Sequence, residues 1–251
     1  MELGLGLWAF AVGVAVVAGM LKGMVGLAMP MVMISGLATV LPPEVAIAGL
    51  LLATLVSNVM QAMRQGFVAA GRSAREHWRY LAILWVMIAL SAQLVTVLSD
   101  TVLFLVLGVP VTVLSLVQLM GLRLRVKDHL RRGTEGGVAL VSGFLGGITG
   151  VWGPPTTMYL TALGTEKTDQ IRAQGVIYGT GALVLLGSHI ASGVLNQSTL
   201  PLSVALVLPA MAGMLIGFKI QDRIDQEGFR KATLIVLAVA GLNLIRRGLM
   251  G

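Results

Sequence analysis

Thr149, Trp152, Thr156 and Thr157 crowd around Gly147, Gly150, Gly153 and Pro154 in the stretch LGGITGVWGPP, a combination suited to holding an anion. Glycine lets a ligand approach the backbone closely, and proline in the first turn of a helix sacrifices no donor. A helix restarted at such a break presents unpaired N–H groups and about half a positive charge from its macrodipole. The hydroxyls and the indole N–H supply further donors for oxyanion oxygens. An earlier stretch, LKGMVGLAMP, carries Gly23, Gly26, Met29 and Pro30, and three of these four landmarks recur at a constant offset of 124 residues. Small residues also serve tight helix packing. The coincidence of Gly, Pro and hydroxyl donors favours a binding role, because broken backbone in lipid must face protein or a water-filled cavity.

Other polar residues fall where they can serve the same purpose. Thr54, Ser57, Asn58 and Gln61 recur at helical spacing and so share one face, which must turn inward; helix-to-helix hydrogen bonding is the plain reading, and Asn58 is the member best placed to line a substrate path. Gln174 and Tyr178 form a comparable pair in the second half, with Thr180 turned away from them. Arg172, one turn inside the helix that begins near Thr168, offers a planar fork matched to oxyanion oxygens, or else only sets topology. Lys22, at the tip of the first broken segment, invites the same question, and snorkelling of its long stem to the headgroups is the preferred reading. His189 can titrate near neutral pH and is a candidate for proton coupling, against a plain role as a hydrogen-bonded structural group.

These groups need a membrane scaffold to hold them. Hydrophobic residues make up 56% of the 251-residue chain and charged residues 12%, and the mean hydropathy is +0.89. Uncharged runs of about 20 residues recur, each long enough to cross roughly 30 Å of hydrocarbon. The first run lacks the flanks of a signal peptide and is expected to be retained. Two segments have awkward lengths. Residues 3–41 would make a helix of about 58 Å and residues 136–163 one of about 42 Å, so both are expected to turn back as broken hairpins. With that folding, Lys and Arg divide 15 to 2 between the two sides, whereas single crossings divide them 11 to 6. The positive-inside rule therefore predicts five passes per half and both termini outside the cytoplasm. Each half then has an odd number of passes, which makes residues 1–125 and 126–251 inverted-topology repeats in one integral membrane domain. Gly49 and Thr54 match Gly175 and Thr180 at an offset of 126, extending the likeness.

Several chemistries are missing. The 11 acidic residues all lie in loops or at segment ends, so no buried carboxylate relay of the kind cation carriers use is visible. No Cys is present, which excludes disulfides and thiolate chemistry, and there is no Walker A sequence. The net charge of +7 resides in loops and reads as topology rather than nucleic-acid binding.

The broken first segment ending in Pro30, the Pro42-Pro43 turn, the helix carrying Asn58 and the second copy GGITGVWGPP, followed by Lys167 and Arg172, together resemble the TauE/SafE family of sulfite exporters and 4-toluene sulfonate uptake permeases. The resemblance spans essentially the whole chain. It implies movement of small sulfur anions such as sulfite, thiosulfate or sulfoacetate across a bacterial inner membrane. Lys22 and Met29 depart from the pattern, where a small residue and Gly would stand.

The sequence thus predicts an all-α, polytopic membrane bundle of two inverted repeats, each opening with a Gly/Pro-broken hairpin. The expected activity is secondary transport of a small anion by alternating access, without catalysis or cofactor. The expected ligand position is near the midplane between the two breaks, with Gly26, Pro30, Asn58, Thr149, Gly150, Trp152, Gly153, Pro154, Thr156, Arg172 and Gln174 around it. The partners are the anion and the lipid bilayer, with no nucleic acid; a homodimer is left open. The alternatives are a divalent transition-metal permease and an intramembrane enzyme using His189. Few histidines and no buried acids count against the first, and the lack of an accompanying carboxylate or Cys against the second.

Overall fold

The computed structural model describes residues 4–37, 39–91, 100–121, 125–149, 152–191 and 193–250. Every regular element among them is helical: α1 (Leu5–Val25), α2 (Met29–Leu37), α3 (Pro43–Met63), α4 (Phe67–Glu76), α5 (Trp78–Ser91), α6 (Asp100–Leu119), α7 (Arg131–Thr149), α8 (Gly153–Ala162), α9 (Lys167–Ala191), α10 (Leu200–Ala205), α11 (Val207–Arg223) and α12 (Gln226–Met250). Among the described residues, Leu5–Val25, Val45–Met63, Leu200–Arg223 and Gln226–Met250 are long and apolar enough to cross a membrane, and α5 is a shorter apolar helix. The chain is a multi-pass helical membrane protein.

Both over-long segments turn back on themselves. A Cβ on Gly36 of α2 would meet Val14 of α1 at 2.7 Å, and these residues stand nearly equidistant from Gly26, so α2 runs back along α1. In the second segment Thr156 Oγ1 of α8 lies 3.5 Å from Ser142 Oγ of α7, so α8 packs back against the helix that precedes it. At 1.5 Å per residue α2 and α8 reach only about 13–15 Å, half the hydrocarbon thickness. The cause is local: Gly26 closes α1 in a left-handed conformation at φ +85°, and Pro154 sits in the first turn of α8, where its missing N–H costs nothing.

The helices form two compact units, Met1–Ala70 with Gln174–Asp225 and Gly71–Ala173 with Gln226–Gly251. In the first unit α1 and α11 lie parallel with their backbones touching. A Cβ on Gly213 would come within 2.0 Å of the Val16 carbonyl oxygen, and one on Gly217 within 2.2 Å of that of Met20. Ala11, Ala15 and Ala18 then pack with Met33, Leu37, Leu50 and Leu206 to make the apolar core of this unit. At one end of the unit Arg64, which caps α3, pairs with Asp222 at 2.6 Å. Arg64 also donates to Gln221 and lies 4.1 Å from the Phe218 ring centre.

The second unit repeats the parallel pairing with α5 and α7: Gly136 faces Ile83, and Gly143 faces Leu84 and Met87. There α6 and α12 pack antiparallel through Gly108, Thr112 and Gly241. Several hydrogen bonds tie the loops at one end together. Val126 N donates to the Ala162 carbonyl at 3.1 Å. Gln226 accepts from Lys167 N at 2.9 Å and donates to the Thr165 carbonyl at 3.0 Å. Arg230 donates to the Gln118 carbonyl at 3.3 Å. Arg125, Lys127, Lys167, Arg230 and Lys231 consequently collect at that end, while Arg246 and Arg247 lie at the far end of α12.

Each hairpin tip has its own direction relative to the charges of its own unit. In the first unit the Gly26 carbonyl accepts from Gln61, one helical turn before Arg64, so the tip lies about a turn inside the basic end. In the second unit α7 starts with Arg131 and Arg132 at the basic end and carries its tip away from it.

Candidate functional site

The expected site residues divide between the two units. Gly26, Pro30, Asn58 and Gln174 belong to the first, and Thr149, Trp152, Gly153, Pro154, Thr156 and Arg172 to the second. Gly150 lies outside the described residues.

In the first unit, the break between α1 and α2 is built as a knot of polar side chains from neighbouring helices. Gln61 Nε2 of α3 donates to the Gly26 carbonyl at 3.2 Å and lies 3.5 Å from Gln174 Oε1 of α9. A Cβ on Gly26 would sit 1.6 Å from that same Gln174 oxygen. Glycine is therefore required there by backbone conformation, and any side chain would also displace the end of the Gln174 amide that rests against it. Ala28 follows at φ +82°, and it alone of the described non-glycine residues has a positive φ. Such a conformation costs about 1–2 kcal/mol and clusters at functional turns. Pro30 stands in the first turn of α2 and is half-buried.

Lys22 corrects the sequence expectation. It does not snorkel: it is 2% exposed, and its Nζ donates to Asn58 Oδ1. Asn58 is 1% exposed and is held against Gly179 of α9, whose Cβ position lies 3.5 Å from its own Cβ. Among the described residues no carboxylate forms an ion pair with Lys22. A buried ammonium with one amide partner is an expensive arrangement unless something negative completes it. The Lys22–Asn58 pair lies six residues along α3 from Arg64, or about 9 Å. The inward polar face of α3 is as expected: Ser57, Asn58 and Gln61 are all buried, and Ser57 donates to the Met29 sulfur at the start of α2.

In the second unit, the restart at Gly153 is locked by hydroxyls. Thr156 Oγ1 donates to the Trp152 carbonyl at 2.8 Å. The phenol of Tyr80, from α5, lies 2.7 Å from Thr156 Oγ1 and 2.9 Å from Ser142 Oγ of α7. Trp152 is buried and packs its ring on Gly146 of α7. Thr149 ends α7. Thr156 thus serves as a strut between three helices, a role its sequence position did not reveal, because Tyr80 lies 76 residues away. Arg172, expected to meet the anion, pairs with Asp169 at 2.8 Å and so brings a balanced rather than an open charge. His189 sits half-buried in the last turn of α9, where its carbonyl accepts from Leu195 N at 3.0 Å.

Among the described residues no three His, Cys, Asp or Glu side chains gather as a metal centre requires. The geometry is that of a membrane bundle with two broken hairpins and, at a break, the buried Lys22 cation, for which no carboxylate partner is found among the described residues. A family model described as sulfite exporter TauE/SafE matches residues 11–244. Neither a curated protein nor a solved structure matches the chain. The family match starts inside α1 and ends inside α12, enclosing both hairpins, and on it the chain belongs to the sulfite exporter TauE/SafE family of membrane transporters.

Proposed function

We propose that the chain exports a small sulfur oxyanion or organosulfonate, of the sulfite, thiosulfate or sulfoacetate type, by alternating access. The observation that carries this reading is the Lys22 ammonium, buried on Asn58 beside the break at Gly26 with no described carboxylate to balance it. An anion bound there gains a charge-assisted contact, the open N–H groups at the start of α2 and a dehydrated setting that strengthens both. Gln174 and Gln61 shape the turn, and Pro30 starts the half-helix. The second break, with Thr149, Gly150, Trp152, Gly153, Pro154 and Thr156, offers the same kind of helix start in its own unit. Arg172, paired with Asp169 at 2.8 Å, is the first guanidinium to follow that break in sequence.

The two halves act as inverted repeats in this reading. Helix order supports it: a broken hairpin, a long helix, an amphipathic or short helix with its successor, and a closing helix recur in each half. So does packing, since the first helix of each half pairs in parallel with the fourth-pass helix of the other. One tip points toward the basic end of its unit and the other away. With both basic ends facing the cytoplasm, as the positive-inside rule requires, the hairpins enter from opposite sides. Reporters fused to either terminus are expected to signal outside the cytoplasm; a cytoplasmic signal from one of them contradicts the five-plus-five arrangement.

Transport is testable in proteoliposomes loaded with sulfite, thiosulfate or sulfoacetate at equal pH on both sides. Moving one negative charge out across 100 mV, inside negative, runs down the potential and releases about 2.3 kcal/mol, enough for a roughly fifty-fold gradient. Efflux of one of these anions should therefore rise with an imposed inside-negative potential. Efflux that ignores the potential, follows a pH gradient and loses that response in His189→Ala assigns coupling to His189 instead. No efflux of any of the three removes the sulfur-anion reading.

A further inference from the structure

The second unit holds a cavity of about 250 Å³ that the transport reading does not use. Four guanidiniums border it, Arg75 and Arg79 from one wall and Arg131 and Arg132 from the other, with Glu76 and Glu135 as the acids. The border is thus two charges positive. None of the four arginines forms an ion pair among the described residues. Arg131 and Arg132 also open α7, whose first turn contains no acid, so two cations stand at the positive end of a helix dipole. An anion in the cavity would relieve both repulsions.

What surrounds the cavity specifies the anion. Trp78 lines it and is 59% exposed, with Arg79 5.5 Å above its ring. Below Trp78 the outer face of α5 continues as an exposed apolar stripe through Trp85, Val86 and Leu90. Exposed Leu140 and Val141 lie on α7, which packs against α5. The other side is closed, because Tyr159 at the cavity wall stacks on the buried Tyr80 at 6.0 Å between centroids. A basic cup at the edge of an apolar stripe, with an interfacial tryptophan at its rim, matches a headgroup phosphate with its acyl chains running down the helix. We infer that this cavity binds the phosphate of an anionic phospholipid, seated by Arg75, Arg79, Arg131 and Arg132.

The full-length protein, purified and delipidated in neutral detergent, can be titrated with phosphatidylglycerol, with phosphatidylcholine of the same chains and with inorganic phosphate. Binding is read by native mass spectrometry and by the thermal midpoint. Phosphatidylglycerol should bind and raise the midpoint well above the effect of phosphatidylcholine or phosphate. Arg131→Gln with Arg132→Gln should weaken it by roughly thirtyfold, at about 1 kcal/mol per basic residue, whereas Glu135→Gln should tighten it. Arg75→Gln with Arg79→Gln, on the opposite wall, gives a second reading if the first pair misfolds. Equal binding of the two lipids, or phosphatidylglycerol affinity unchanged in both arginine pairs, overturns the assignment. Full stabilisation by inorganic phosphate alone makes the cavity a free-anion site and likewise overturns it. None of these outcomes depends on what the protein transports.

Discussion

Lys22→Met is expected to abolish anion efflux while leaving the protein folded, with a thermal midpoint equal to or above that of the original chain. The two effects have opposite signs for one physical reason. A buried cation without a counter-charge is a net cost to the fold, and an apolar side chain of similar length removes that cost. The same cation is what a substrate anion would meet at the Gly26 break. Loss of one charge-assisted contact, about 2 kcal/mol, lowers transport at least thirtyfold. Asn58→Leu separates the alternatives further, because it strands Lys22 without its acceptor and should destabilise the fold as well as slow transport. Efflux assays alongside thermal unfolding in detergent decide the matter. Undiminished efflux in Lys22→Met, or a midpoint far below that of the original chain, would make Lys22 a structural residue and remove the observation on which the proposed site rests.

Gly26→Val should eliminate transport by a different route. Valine at φ +85° pays the left-handed penalty of about 1–2 kcal/mol, more for a β-branched residue. Its Cβ also falls 1.6 Å from Gln174 Oε1, which must then leave Gln61. The α9 backbone that carries Gln174 cannot retreat toward α3, since the backbone of Ala62 already lies 2.4 Å from the Cβ position of the adjacent Gly175. Gly66→Val is the matched control: its φ is +88°, yet nothing lies within 4 Å of its Cβ position. The control should lose stability through conformation alone and keep its efflux. Equal efflux in the two variants would show that the glutamine knot is packing and not part of the site.

Period, length and charge were legible in the chain without a structure. Apolar runs can satisfy their backbone in lipid only as helices, so the all-helical bundle follows from composition. The two over-long segments had to fold back because 58 and 42 Å do not fit a 30 Å slab, and the Gly/Pro breaks mark where. The inward face of α3 followed from helical spacing, and Ser57, Asn58 and Gln61 are indeed buried.

The state of each charge was not legible, because burial is a property of neighbours distant in sequence. Lys22 has a stem long enough to reach either headgroups or core; Asn58, 36 residues on, holds it inside. Arg172 carries the same guanidinium whether open or balanced, and the turn that brings Asp169 to 2.8 Å balances it. Thr156 reads as a free donor until Tyr80 arrives from α5. Local sequence sets which elements form and where they break, since those depend on backbone hydrogen bonding and hydropathy along one segment. Which polar group stays uncompensated depends on packing between segments, and only the tertiary structure decided it.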